Sequence, residues 1–179
     1  MTGKKYIFFD FDGTLVDSSE GIYRAFAKSC NQIKVYCPSI ETFKSLIGPP
    51  IREIAATCIP GISSTELHVF EKHFRHHYDS EDFLFVKWYP GALEWISSTC
   101  QHILPFYIVT NKPTLITKSI ISSAGIGNCF VDVIGIDYRV VNRTGIPFKD
   151  KSDAINFLLT SLNINPCSVL YLGDTPSDL

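Results

Sequence analysis

Two aspartates alternate at Asp10 and Asp12, with Gly13 and Thr14 behind them, directly after the apolar run Tyr6 to Phe9. Carboxylates so placed can divide labour. One attacks phosphorus; the other gives a proton to the leaving group and later takes one from water. Gly13 permits a tight turn with close backbone approach. Asp-Gly is also a strong hairpin turn, but no alternating partner strand follows. A second cluster, Thr110-Asn111-Lys112-Pro113, closes the apolar run Leu104 to Val109. A hydroxyl at that position can hydrogen-bond a phosphoryl oxygen, although a threonine or asparagine ahead of proline is also a common helix cap. A third feature is a lysine just before the helical stretch Ser152 to Leu162, with Lys151 the first choice and Lys149 the alternative. Its cation would offset the charge of phosphate and aspartates, whereas most lysines are simply solvated. The fourth cluster, Gly173-Asp174-Thr175-Pro176-Ser177-Asp178, follows the apolar run Val169 to Leu172. Its carboxylates suit Mg2+, a hard cation that takes one or two carboxylates plus substrate phosphate and keeps several waters. They also suit a helix start. Singly, each cluster has an ordinary structural explanation. Jointly they supply nucleophile, acid/base, hydroxyl, cation and metal ligands, and four independent coincidences would be needed to dismiss them.

The intervening sequence must hold these clusters at the ends of buried strands. Tyr6 to Phe9, Leu104 to Val109, Phe130 to Ile136 and Val169 to Leu172 read as strands, apolar enough to be covered on both faces. Pro113 to Ala124 and Ser152 to Leu162 read as helices between them. Strands alternating with helices predict an α/β fold with a parallel sheet, and in such open sheets ligands bind beyond the carboxyl ends of the strands. The stretch from about Ser18 to Lys87 is different: it holds no convincing strand, and Ser18 to Gln32 and Ser63 to Tyr78 carry helical periodicity. A helical insertion after the first strand is expected.

Composition narrows the function classes. The chain has 179 residues, 45% hydrophobic and 19% charged, with a formal net charge of -2; that suits one domain plus a modest insertion. Scattered lysines and arginines form no basic stripe, so nucleic acid is not an expected partner. No run approaches the ~18 apolar residues of a spanning helix, so no membrane is expected either. The six cysteines form no C-x-x-C pair, which predicts free thiols, no disulfide framework and a cytoplasmic protein. His73 and His77 lie one helical turn apart, but no acidic partner completes a metal set.

These motifs resemble those of the haloacid dehalogenase superfamily, in its phosphoglycolate phosphatase-like branch. Asp10-Phe11-Asp12-Gly13-Thr14, continuing to Leu15-Val16-Asp17-Ser18, looks like the first motif; Thr110 matches the second, Lys151 the third, and Gly173-Asp174 with Asp178 the fourth. Tyr89-Pro90-Gly91 resembles the segment where such chains return from cap to core. The resemblance implies a Rossmann-like core over 1–16 and 88–179 and a helical cap over 17–87. It implies that Asp10 forms an aspartyl-phosphate and that Asp12 acts as acid and then base. Thr110 and Lys151 would hold phosphoryl oxygens, with Gly13 and Asn111 beside the substrate. Mg2+ would sit between the Asp10 carboxylate, the Asp12 carbonyl and Asp174, with Asp178 as ligand or behind one. Gly48 and Arg52, in Gly48-Pro49-Pro50-Ile51-Arg52, resemble a cap loop that meets the substrate, although a surface arginine after Pro-Pro explains them as well.

Similar proteins continue past the position of Leu179 with a further strand and helices. The C-terminal part of the core is therefore expected to be missing, which leaves the fourth strand as a sheet edge open to self-association. The expected activity is hydrolysis of a small phosphorylated metabolite. Rivals are a phosphosugar mutase, a pyrophosphatase or nucleotidase using the same motifs, and a non-catalytic phosphate-binding protein.

Overall fold

The structure is a computed structural model and describes residues 5–100, 104–136 and 147–174. The chain divides into two compact units, Met1–Asp17 with Trp88–Leu179, and Ser18–Lys87.

The first unit is built on four parallel strands: β1 (Tyr6–Phe9), β4 (Phe106–Thr110), β5 (Phe130–Gly135) and β6 (Val169–Leu172). Two-residue strands β2 (Val16–Asp17) and β3 (Lys87–Trp88) pair separately as a short ribbon. The main sheet runs β5-β4-β1-β6, and Phe9 pairs with Ile108 on one side and Leu172 on the other. The carboxyl ends of β1, β4 and β6 are thereby neighbours. Side chains alternate across the sheet. Phe8, Tyr107 and Val109 face one way, into a cluster with Ala154 and Leu158 of α7 (Lys151–Ser161). Phe9 and Phe106 face the other way, where Trp95 of α5 (Ala92–Thr99) stacks on Phe106 with ring centroids 5.5 Å apart. Cover on both faces is why β1 and β4 read as unbroken apolar runs. The edge strand β6 is half covered, with Leu170 and Leu172 exposed. Helix α6 (Thr114–Ser123) follows β4 and buries Ile116, Ile120 and Ile121.

The loop after β1 is not a hairpin. Gly13 takes φ +84° and its N–H donates to the Val16 carbonyl at 2.8 Å, while Leu15 and Val16 N–H groups return to Phe11. This tight turn leaves both aspartates at the strand end. The cysteines depart from expectation in one pair: Cys100 and Cys129 meet as a disulfide, with Cα atoms 5.1 Å apart. Partners 29 residues apart meet only because the chain after α5 and the turn before β5 are neighbours in the folded unit. No helix among the described residues is long and apolar enough to cross a membrane.

The second unit is helical: α1 (Ser19–Ile33), α2 (Ile40–Lys44), α3 (Ile51–Cys58) and α4 (Ser64–Ser80). Phe26 of α1 is fully buried against Phe43 and Phe70, with centroids 4.6 and 4.9 Å away. Helix α4 begins with a reciprocal capping box, in which Ser63 accepts from the Glu66 N–H and Glu66 accepts from the Ser63 N–H. Asp82 is fully buried and is neutralised by Lys28 at 2.9 Å and Arg24 at 3.4 Å. Phe26→Ala should cost about 3–5 kcal/mol and Ser63→Ala about 1 kcal/mol. Urea denaturation followed by helical circular dichroism checks both, and equal losses would contradict this ranking of core over cap.

Candidate active site

Asp10 lies one residue beyond β1, and its N–H still donates to the Leu172 carbonyl at 2.8 Å. Sheet pairing thus fixes its backbone. The residue is 5% exposed. One carboxylate oxygen accepts from the Phe11 N–H at 2.7 Å, and the other accepts from Lys151 Nζ at 3.0 Å. Burial pushes the Asp10 carboxyl up from its ordinary value; the Lys151 ammonium, the Phe11 N–H and the Thr110 hydroxyl pull it back without cancelling the shift. Lys151 is the first residue of α7, whose cap Asp150 accepts from the Asp153 N–H. The helix start therefore aims a buried lysine at the strand end. Lys149, the alternative, is exposed, and its main-chain N–H serves Asp153 at 3.2 Å.

Thr110 ends β4 and is buried. Its hydroxyl accepts from the Lys112 N–H at 3.3 Å, and its interaction with Asp10 places it beside the same carboxylate. Asp12, on the turn, is held by Lys112: Nζ lies 2.9 and 3.0 Å from the two carboxylate oxygens. Gly13 touches the fourth cluster, because a β-carbon there would collide with the Asp174 carboxylate. The Thr14 hydroxyl donates to Asp174 Oδ1 at 3.1 Å.

This donor chemistry fits a hard cation. The Asp10 and Asp174 carboxylates and the Asp12 carbonyl all offer oxygens, the ligands Mg2+ prefers, and that ion takes one or two carboxylates together with waters and substrate phosphate. Among the described residues no three His, Cys, Asp or Glu side chains form a metal cluster. A set completed by a carbonyl and waters does not require one. Asp178 lies outside the described residues.

The family profile of haloacid dehalogenase-like hydrolases matches residues 7–179. The chain belongs to that family. As a haloacid dehalogenase-like hydrolase it is an enzyme, and its relatives are consistent with that. It is 28% identical to a phosphoglycolate phosphatase of Photobacterium profundum, over 99% of this chain and 78% of the relative. It is 24% identical to a phosphoglycolate phosphatase of Rhodospirillum rubrum, over 98% and 73%. Among solved structures, a haloacid dehalogenase-like hydrolase from Streptococcus pneumoniae superposes with a TM-score of 0.84 at 28% identity, over 99% of this chain and 79% of that one.

The hydrolase core gathers Asp10, Asp12, Gly13, Thr110, Lys151 and Asp174 around neighbouring strand ends. Asn111 follows Thr110 and is exposed. Gly48 and Arg52 lie in the helical unit, where Arg52 pairs with Glu71 at 3.2 Å. Lys112 was not singled out from sequence. A lysine in a polar loop reads as solvated, and only the fold reveals that it is 4% exposed and aimed at Asp12.

Lys151→Met should raise the Asp10 carboxyl further. A carboxyl raised in the folded state adds stability below its unfolded value, near 3.8, and that contribution is lost as pH rises through the folded value. The stability deficit of the variant, measured without metal, should widen as pH rises above the unfolded value of Asp10. A deficit independent of pH would contradict the pairing.

Proposed function

We propose that this chain is a Mg2+-dependent phosphatase that cleaves a small phosphorylated metabolite through an aspartyl-phosphate on Asp10. The observation that carries this reading is a buried carboxylate at a strand end, flanked by the Lys151 ammonium and the Thr110 hydroxyl. An anionic aspartate approaches an anionic phosphate only when nearby cations offset the repulsion. Lys151 is one such cation. Mg2+, held by the Asp10 carboxylate, the Asp12 carbonyl and Asp174, with Asp178 as ligand or support, would supply further positive charge for the transferring group.

Asp10 Oδ attacks phosphorus and displaces the alkoxide, which takes a proton from Asp12. Asp12 then takes a proton from water as the water attacks the phosphoryl group, releasing phosphate and restoring the Asp10 carboxylate. Lys151 and Thr110 hold the phosphoryl oxygens in both steps, with Gly13 and Asn111 beside them. An aspartate at position 12 suits an alkoxide leaving group, which needs a proton.

The helical unit, 18–87, is proposed as the cap that limits substrate size and excludes water. The relatives named phosphoglycolate phosphatase suggest a substrate carrying a carboxylate near its phosphate. Arg52, with Gly48 beside it in the loop, is proposed to meet that second charge on exchanging Glu71 for it.

Phosphate release from a panel of phosphomonoesters with Mg2+ tests the reading. Asp10→Asn should lower turnover by at least about 1,000-fold. Gly13→Ala, strained at φ +84° and directed at the Asp174 carboxylate, should raise the Mg2+ concentration for half-maximal rate by about tenfold or more. Metal-independent turnover, or turnover retained in Asp10→Asn, would overturn the mechanism.

A further inference from the structure

Each motif aspartate in the turn after β1 has its own lysine: Lys151 reaches Asp10, and Lys112 reaches Asp12. The second pair is not a surface ion pair. The Lys112 side chain is 2% exposed against 25% for Asp12, so a buried ammonium approaches its partner from inside the protein. Nζ contacts both Asp12 oxygens, at 2.9 and 3.0 Å.

The backbone of Lys112 is fixed from two sides. Its N–H donates to the Thr110 hydroxyl at 3.3 Å. Its carbonyl occupies the space that a side chain on Gly135, the last residue of β5, would fill. The Gly135 N–H donates to Thr114 Oγ1 at 2.8 Å, tying the loop after β4 to the end of β5. Lys112 is thus tied to the neighbouring strand end, whereas Asp12 sits on a turn.

Resting on the hydrolase reading above, the geometry points to Lys112 as a positioning residue that orients the Asp12 carboxyl group so that, as the acid, it gives its proton to the leaving-group oxygen. Proton transfer needs an approach of about 2.6–3.2 Å between heavy atoms, and a displacement of about 1 Å costs about 100-fold in rate. A carboxylate on a turn, partly exposed, needs a second contact to meet that tolerance. Lys112 supplies that contact through both Asp12 oxygens.

The test compares two leaving groups in Lys112→Met. First-turnover release is measured for an alkyl phosphate, whose alkoxide must be protonated, and for p-nitrophenyl phosphate, whose leaving oxygen need not be. The alkyl-to-aryl ratio of rate constants should fall by about 100-fold relative to wild type. Asp12→Asn should lower the same ratio, and the double variant should be no worse than Asp12→Asn alone. If Lys112→Met does not fold, Lys112→Gln carries the comparison. An unchanged ratio, with both rates reduced together, would show a merely structural lysine and overturn the inference. Additive losses in the double variant would overturn it too. Failure of the wild type to release either group would instead sink the hydrolase reading on which the inference rests.

Discussion

Asp10 is 5% exposed at the end of an apolar strand, and a carboxylate in that position is tolerated because Lys151 reaches it from the first turn of α7. Breaking a buried pair leaves an uncompensated charge and is costly. The pairing therefore constrains where β1 ends, where α7 begins and how the helix lies on the sheet. The same constraint serves chemistry. Burial raises the carboxyl while Lys151, the Phe11 N–H and Thr110 favour its charged form. These are also the kinds of group that would stabilise phosphoryl oxygens.

Around that pair the site is assembled from main-chain geometry. Parallel register sets the ends of β1, β4 and β6 side by side. Gly13 turns the chain so tightly that the Asp174 carboxylate lies where a side chain would be. Gly135 does the equivalent for the loop carrying Lys112. Two glycines at two strand ends thus bring carboxylates and cations into range, each by permitting a close approach that alanine would block.

Much of this was legible in the residues. Strands β1 and β4 announced themselves because both faces are covered, which removes polar alternation. Helices α1 and α4 were legible from their apolar stripes, and Phe70, Phe74 and Tyr78 are buried as their spacing implies. Helix α5 went unread, being eight residues long and opening on Gly91 in the left-handed conformation without a side-chain cap. The meeting of Cys100 with Cys129, and of Lys112 with Asp12, could not be read from local pattern. Both depend on contacts between distant segments, 29 and 100 residues apart. The ion pair of Arg52 with Glu71 has the same origin, since it requires α3 and α4 to be placed together.

The covalent role of Asp10 is the central claim, and trapping its acyl phosphate tests it most directly. Enzyme turning over a phosphomonoester with Mg2+ would be quenched and treated with borohydride, which reduces an aspartyl-phosphate to homoserine, and then read by peptide mass spectrometry. Homoserine at position 10, absent without substrate and absent in Asp10→Asn, is the predicted result. Homoserine at another aspartate, or none despite trapping within the turnover time, would contradict it.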